Sequence, residues 1–251
     1  MGNGTAVDRV RLKVREKLGF GVADLGGNLF FTAMGFWSMN YLTDTVGLPA
    51  ALAGLAVMVA KIWDAVTDPV MGYISDRTIS RLGRRRPYLL YGAIPLALTA
   101  WFFFSAPTME NPVALTVWAL VSLCLLNTAY TVVNIPYGSL TPEMTKDYHE
   151  RTSLNGYRFG FAVIGTILGA GAVLPLVGLM PDRRTGFSLV GLVFGLIMAV
   201  TAMITGLSVR ERPHDGDRPQ GFFKTYAVVF RNRPYLVLLF SYMFYLGGLN
   251  F

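Results

Sequence analysis

The sequence predicts an all-α membrane protein that consists of a six-helix bundle and the start of a seventh helix. The 251-residue chain is 53% hydrophobic and only 15% charged, whereas a soluble domain carries about 25% charged residues. Long apolar runs recur along the chain, close to the roughly 20 residues that one membrane-spanning helix needs. Basic residues gather between these runs, as they do in loops that set membrane topology. The net charge of +7 therefore indicates orientation in a lipid bilayer, not binding to nucleic acid.

Four regions follow from this pattern. A basic N-terminal segment (1–19) precedes the six-helix bundle (20–208), a charged linker rich in Pro and Gly follows (209–234), and a seventh helix starts at 235–251. We expect the second bundle to be missing from this sequence. Within the first bundle, the predicted transmembrane segments are 20–42, 50–74, 88–106, 113–139, 156–179 and 186–208.

The distribution of Lys and Arg predicts the orientation. The N-terminal segment, the 2–3 loop, the 4–5 loop and the stretch after the sixth segment are all basic. The loops on the opposite side are poor in basic residues, apart from Arg183 and Arg184 between the fifth and sixth segments. The positive-inside rule therefore predicts a multi-pass protein of the cell (inner or plasma) membrane with a cytoplasmic N-terminus.

Two aspartates, Asp64 and Asp68, lie four residues apart inside the second apolar segment. A carboxylate at the centre of a bilayer costs about 2.5–3.5 kcal/mol on insertion scales, so such residues usually have a function. Residues four apart share one helix face, and Lys61 shares it too. One interpretation is a salt-bridge cluster that only fixes packing. The other is a site for a coupling cation, Na⁺ or H⁺, since carboxylates bind hard cations and can hold a proton. No other cofactor is predicted.

Polar side chains in three further apolar segments are candidates for substrate contact. The hydroxyl and amide oxygens of the fourth segment, including Thr131, either bond neighbouring helices together or line a water-filled cavity that faces the aspartates. A charged residue near a segment end has an interfacial position as its alternative. The candidate substrate-binding residues are Asp24, Asn28, Tyr130, Asn134 and Arg158, and the candidate cation-binding residues are Asp64, Asp68, Thr131 and Asn134.

The 2–3 loop and the glycine pairs complete the pattern. The spacing G-x-x-x-D-R followed by G-R-R-R-P resembles the loop motif of the major facilitator superfamily, with a plain topogenic loop as the alternative. We expect Gly72 to allow close helix approach, and we expect three small-xxx-small pairs to pack against neighbouring helices: Gly156/Gly160, Gly165/Gly169 and Gly191/Gly195. The motif residues are Gly72, Asp76, Arg77, Gly83, Arg84 and Arg85.

Four strings resemble the glycoside–pentoside–hexuronide:cation symporter family, the melibiose permease-like members of the major facilitator superfamily. They are KIWDAVTDPVMG at 61–72, KLGFG at 17–21, YLTDTVGL at 41–48 and NIPYGS at 134–139. The resemblance runs from about residue 17 to the end of the chain. It implies a twelve-helix fold of two bundles around a central cavity.

The resemblance also implies roles for individual residues. Asp64 and Asp68 would bind the coupling cation with help from Thr131, and Arg158 would lie near the sugar. Asn28 and Asn134 occupy positions at which galactoside carriers have carboxylates, and Gly138 replaces an aromatic ring. The implied function is cation-coupled transport of a sugar or glycoside other than a galactoside, or of an anion such as a hexuronide.

The sequence leaves other functions open. One alternative is an uncoupled facilitator or a lysolipid carrier. Another is a non-transporting truncated half, or the structural partner of a separate second half. An enzyme is not expected, because the only histidines, His149 and His214, lie in predicted cytoplasmic segments without a nucleophile–base–orienter pattern.

Overall fold

A computed structural model describes residues 12–145, 147–209, 211, 232, 234–238 and 240–241. These residues contain helices and no β-strand, which confirms the all-α class. Helix α1 continues from Asn40 through one wider, π-helical turn at Tyr41–Thr45. The helices are α1 (Val14–Asn40), α2 (Ala50–Arg77), α3 (Arg86–Phe103), α4 (Pro112–Met144), α5 (Tyr148–Gly171), α6 (Val173–Val177) and α7 (Arg183–Ser208).

Six of these helices contain 18 residues or more, one for each predicted apolar segment. Helices α2, α4 and α7 are long and apolar enough to cross a membrane by length and hydropathy. The number of six membrane crossings therefore stays a prediction.

The fifth apolar segment differs most from its predicted limits of 156–179. Helix α5 begins earlier, at Tyr148, because the Asp147 carboxylate caps it and accepts the Glu150 N–H at 3.0 Å. The helix ends at Gly171 and resumes as the short α6. Pro175 has no N–H to donate to the carbonyl of Gly171, which is one reason for the break.

Helix α1 packs against α5 and α7, α3 packs against α7 and α4, and α2 packs against α4. The α1–α5 contact is very close: a Cβ added to Gly165 would lie 2.2 Å from the carbonyl oxygen of Leu25. A Cβ added to Gly169, Gly191 or Gly195 would lie 2.7, 2.8 or 2.7 Å from a backbone oxygen of a neighbouring helix, as expected for small-xxx-small pairs. The Gly156/Gly160 pair does not pack in this way, since no described atom lies within 4 Å of an added Cβ.

Arg184 explains the basic loop that departed from the topology pattern. Its guanidinium donates to the carbonyl oxygens of Thr45 at 3.3 Å, Val46 at 3.1 Å and Pro107 at 3.5 Å. Thr45 and Val46 lie at the end of the π-helical turn, where backbone carbonyls have no N–H partner within the helix. Arg184 therefore stabilises the connection between α1 and α2.

The chain divides into two compact units, Met1–Arg212 and Pro213–Phe251. In the second unit, residues 234–238 and 240–241 are helical, and the Leu236 N–H donates to the Asn232 carbonyl at 3.1 Å. Most of the predicted linker 209–234 and the rest of the predicted seventh helix lie outside the described residues.

Candidate cation and substrate site

Asp64 and Asp68 of α2 face Thr131 of α4. The Thr131 hydroxyl lies 2.7 Å from Asp68 Oδ1 and 3.4 Å from Asp64 Oδ1, so one hydroxyl connects the two carboxylates. Thr131 itself is buried, which fixes its hydroxyl between the helices. The α2–α4 contact thus brings together three of the four residues that the sequence assigned to the cation.

Lys61 is the one nearby cation among the described residues of this cluster. Its Nζ lies 3.8 Å from Asp64 Oδ2, one turn along α2. The lysine side chain is 64% exposed and that of Asp64 25% exposed. An ion pair of this length and exposure is weak. The two carboxylates therefore share one hydroxyl, Asp64 also pairs loosely with an ammonium group, and the cluster is net negative while both carboxylates are ionised.

The donor set fits a small monovalent cation. Na⁺ takes oxygen ligands, and the two carboxylates and the Thr131 hydroxyl supply them from two helices. A proton would need only one of the carboxylates. No cluster of three or more His, Cys, Asp or Glu side chains that could hold a metal ion occurs within the described ranges. The aspartate pair is therefore the candidate cation site, and its role stays a prediction.

A third carboxylate, that of Asp24, is held very differently. Arg158 donates to it through Nε at 2.6 Å and Nη2 at 3.2 Å, and the Tyr137 hydroxyl donates at 2.5 Å. Arg158 also donates to Thr141 at 3.1 Å and lies 5.1 Å from the centre of the Tyr137 ring. Asp24 and Arg158, each with an interfacial alternative from the sequence, thus form an ion pair where α1, α4 and α5 meet. Every oxygen of Asp24 already has a donor.

The remaining candidate substrate residues lie along the α1–α4 contact. Asn28 donates to the Asp24 carbonyl at 2.8 Å within its own helix. The Tyr130 hydroxyl donates to the Gly27 carbonyl at 3.5 Å. Asn134 lines a crevice of about 20 Å³ together with Gly27 and Tyr130. Asn134 forms no hydrogen bond with the α2 aspartates in the part of the chain that the structure describes, so its assignment as a cation ligand stays a prediction.

The 2–3 loop forms a charged network with the end of α4. Arg85 pairs with Asp76 at 2.7 Å and with Glu143 at 3.1 Å, and Arg84 also pairs with Glu143. Arg85 is almost fully buried. Because two arginines share Glu143, the loop is tied to α4 as well as to α2.

A carboxylate from beyond α7 closes the same network. Glu211 accepts the backbone N–H groups of Arg84 at 2.6 Å, Arg85 at 2.9 Å and Arg86 at 2.7 Å. These donors lie at the start of α3, where helical N–H groups lack partners. Gly83 has a φ of +106°, and an added Cβ would lie 2.6 Å from the Glu211 carboxylate. Both facts explain a glycine at this motif position.

The other motif positions are less constrained. A Cβ added to Gly72 would lie 3.8 Å from Ile135, which is an ordinary contact. The expectation that Gly72 allows close helix approach is therefore wrong for this structure. The Arg77 guanidinium lies 3.5 Å from the centre of the Tyr73 ring, in cation–π geometry.

Comparison with known proteins decides the family. Residues 19–250 match the profile of the family described as MFS/sugar transport protein. The chain belongs to this family. The resemblance found in the sequence is thereby confirmed, and so are membrane transport as the general activity of the family and the expectation that the chain is not an enzyme.

Curated members of the MFS/sugar transport family show the degree of similarity. The chain is 37% identical over 208 residues to an uncharacterized symporter of Synechocystis, covering 80% of this chain and 38% of the relative. It is 33% identical over 247 residues to a putative sulfoquinovose importer of Escherichia coli, covering 96% and 52%. It is 34% identical over 204 residues to the putative glycoside/cation symporter YagG of Escherichia coli, covering 80% and 44%. The chain thus spans about half or less of these relatives.

Several residues of these networks were missed from the sequence. Tyr137 and Thr141 complete the surroundings of Arg158, and Glu143 and Glu211 bind the arginines of the loop. A signal existed for the two glutamates, since each is an acidic residue that lies close to basic residues in a predicted loop or linker. Tyr137 lies in an apolar helix and gives no such signal.

Proposed function

We propose that this chain supplies the cation-binding bundle of a cation-coupled transporter for a sugar or glycoside. Membership of the MFS/sugar transport family supports transport. The names of two relatives, a putative sulfoquinovose importer and a putative glycoside/cation symporter, support the substrate class and the coupling.

The observation that carries the proposal is the aspartate pair with its shared hydroxyl. Two carboxylates that both contact Thr131 repel each other while both are charged. A bound cation removes that repulsion and joins α2 to α4. If the cation favours the arrangement that binds substrate, substrate must favour cation binding by the same factor.

Alternating access moves two bundles around a site near the middle of the membrane. We propose that a second bundle joins the one described here to enclose the substrate. The polar side chains at the α1–α4 contact, Asn28, Tyr130 and Asn134, are the proposed sugar contacts, because amides and hydroxyls bind sugar hydroxyls.

The test is uptake of labelled sugars and glycosides by the complete gene product in proteoliposomes, with and without Na⁺ and at two pH values. A Na⁺ gradient or a pH gradient that drives accumulation identifies the coupling ion. Asp64→Asn and Asp68→Asn should abolish that accumulation. Asp44→Asn is the matched control, since Asp44 lies outside the cluster and accepts a hydrogen bond from Asn40 at 2.5 Å.

Three outcomes separate the alternatives. Accumulation that persists undiminished in both α2 variants refutes the cation site. Uptake that equilibrates without responding to either ion favours an uncoupled facilitator. Uptake of lysolipid in place of every sugar favours a lipid carrier.

A further inference from the structure

The middle of α2, which carries the aspartate pair, is the least buried part of that helix. None of residues 61–70 is buried, whereas Ala60 before them and Met71 after them are. Helix α4 is the main neighbour of α2. Because no side chain of this stretch is buried, its position against α4 depends strongly on the hydrogen bonds between the two helices.

A short hydrogen bond joins the two helices one residue before Asp64. Trp63 Nε1 donates to the Thr128 hydroxyl at 2.9 Å, and that hydroxyl donates in turn to the Cys124 carbonyl at 2.7 Å. The hydrogen of the hydroxyl thus points to the backbone of α4, and a lone pair is left for the indole. Thr128 precedes Thr131 by three residues, so the two hydroxyl side chains start about 4.5 Å apart along the α4 axis.

Other hydrogen bonds between α2 and α4 near the aspartates are longer or involve the site itself. Asn127 Nδ2 donates to the Ala60 carbonyl at 3.4 Å, which is a long hydrogen bond. Thr131 contacts both carboxylates, but as a proposed ligand it must rearrange these contacts when a cation binds. The bond between Trp63 and Thr128 uses no group that would bind the cation. It is therefore suited to hold α2 and α4 together whether the cation site is empty or full.

We propose that Trp63 and Thr128 are positioning residues of the cation site: their hydrogen bond holds α2 against α4 so that Thr131 reaches both carboxylates before a cation arrives. Such a site binds more tightly, because apparent affinity falls with the fraction of molecules in the binding-competent arrangement. This inference rests on the proposed function and adds two residues that act on the cation through Thr131.

The experiment measures cation binding to the complete gene product in lipid nanodiscs, with radiolabelled Na⁺ or, if H⁺ is the coupling ion, with a pH-sensitive dye. Trp63→Phe keeps an aromatic ring and removes the indole N–H. Thr128→Val keeps the shape of the side chain and removes the hydroxyl. Each variant should lower cation affinity about fivefold, the size expected for one lost hydrogen bond. Thr128→Ser keeps the hydroxyl and should keep the affinity.

The double variant Trp63→Phe/Thr128→Val tests whether the two residues act through one bond. A single hydrogen bond can be lost only once, so the double variant should also lose about fivefold in affinity. Two residues that act independently would instead give a loss of about 25-fold, the product of the two single losses.

Trp101→Phe is the matched control in the α3–α7 contact. Trp101 Nε1 donates to the Ser188 hydroxyl at 3.1 Å, and Trp101 is 45% exposed against 46% for Trp63. This variant loses the same kind of bond at a site away from the aspartates. It should lower the unfolding midpoint in detergent about as much as Trp63→Phe, but leave cation affinity unchanged.

The outcomes distinguish this inference from the proposed function. Suppose that cation binding depends on Asp64 and Asp68. Full affinity in Trp63→Phe and Thr128→Val, multiplied losses in the double variant, or an equal loss in Trp101→Phe would then refute the positioning role and leave the cation site standing. If neither Na⁺ nor H⁺ binds with a dependence on the two aspartates, the proposed function fails, and the positioning role fails with it.

Discussion

The α1–α5 contact and the α2–α4 contact hold their carboxylates in opposite ways. Asp24 receives two hydrogen bonds from Arg158 and one from Tyr137, at a contact where helix backbones nearly touch. Asp64 and Asp68 share one hydroxyl, and Asp64 also pairs loosely with an exposed lysine. A carboxylate whose oxygens are all bonded has a structural role, whereas one with free oxygens can take a ligand. Burial alone does not separate these two cases.

The largest effect that tests this comparison is expected at the Asp24–Arg158 pair, in which every carboxylate oxygen already accepts a hydrogen bond. Arg158→Gln leaves the Asp24 charge without its cation in a partly buried site, and the cost should approach that of breaking a fully buried pair, about 3–5 kcal/mol. Unfolding in mixed detergent micelles measures the loss. The double variant Asp24→Asn/Arg158→Gln should recover most of the stability, because it leaves no unpaired charge. Equal stability of the single and double variants would show that the unpaired Asp24 charge is not what destabilises Arg158→Gln.

The next effect concerns how closely the helices pack at the α1–α5 and α2–α4 contacts, not the charges there. Gly165→Ala places a methyl group 2.2 Å from the Leu25 carbonyl oxygen and should destabilise the α1–α5 contact by about 1–3 kcal/mol. Gly72→Ala is the matched control in the α2–α4 contact, where the nearest atom is 3.8 Å away. The control should unfold at the midpoint of the original protein. A larger cost at Gly72 than at Gly165 would reverse the comparison.

A smaller effect, on cation affinity, is expected at the Asp64–Asp68 pair. Thr131→Val removes the hydroxyl that contacts both aspartates and should lower cation affinity about tenfold, the worth of one hydrogen bond or ligand. Thr131→Ser keeps the hydroxyl and should keep the affinity. Cation titrations followed by tryptophan fluorescence measure this, since Trp63 lies beside Asp64 and donates to Thr128 at 2.9 Å. Equal affinity in the two variants would exclude the hydroxyl as a ligand.

The smallest effect lies at the start of α5, outside the predicted apolar segments. The hydrogen bond from Lys17, 2.9 Å long, holds the pKa of the Glu150 carboxyl below its usual value. A lowered folded-state pKa gives stability that is fully present above the unfolded pKa of about 4.3 and is lost as pH falls through the folded value.

The difference in unfolding midpoint between the original protein and Glu150→Gln should therefore be constant near neutral pH and shrink below about pH 4.3. Unfolding at a series of pH values measures it. A difference that stays constant into acid would mean that Glu150 acts through packing, not through its charge.

The Asp64–Asp68 pair could be predicted from sequence, and the Asp24–Arg158 pair could not. Asp64 and Asp68 are neighbours on one helix, so their spacing alone places them on one face. Asp24 and Arg158 are 134 residues apart, and nothing in either local pattern predicts that they meet. The same limit applies to Glu211, whose partners lie 125 to 127 residues earlier.

The glycines show a related limit. Three pairs have identical spacing, but only Gly165/Gly169 and Gly191/Gly195 lie against a neighbouring backbone. Spacing places two small residues on one face of a helix, and the fold decides whether that face has a neighbour. The helix start at Tyr148 was missed for a different reason: its first turns are polar, and the capping aspartate is a local signal that hydropathy does not detect.

Glu211 also has a mechanical consequence. Its carboxylate is tied to three successive backbone groups at the head of α3, although it follows α7 in the chain. A displacement of residue 211 therefore acts on the start of α3 as well as on the end of α7. Glu211→Asp keeps the negative charge but shortens the side chain by one methylene group. It should therefore lengthen or break the hydrogen bonds to the start of α3.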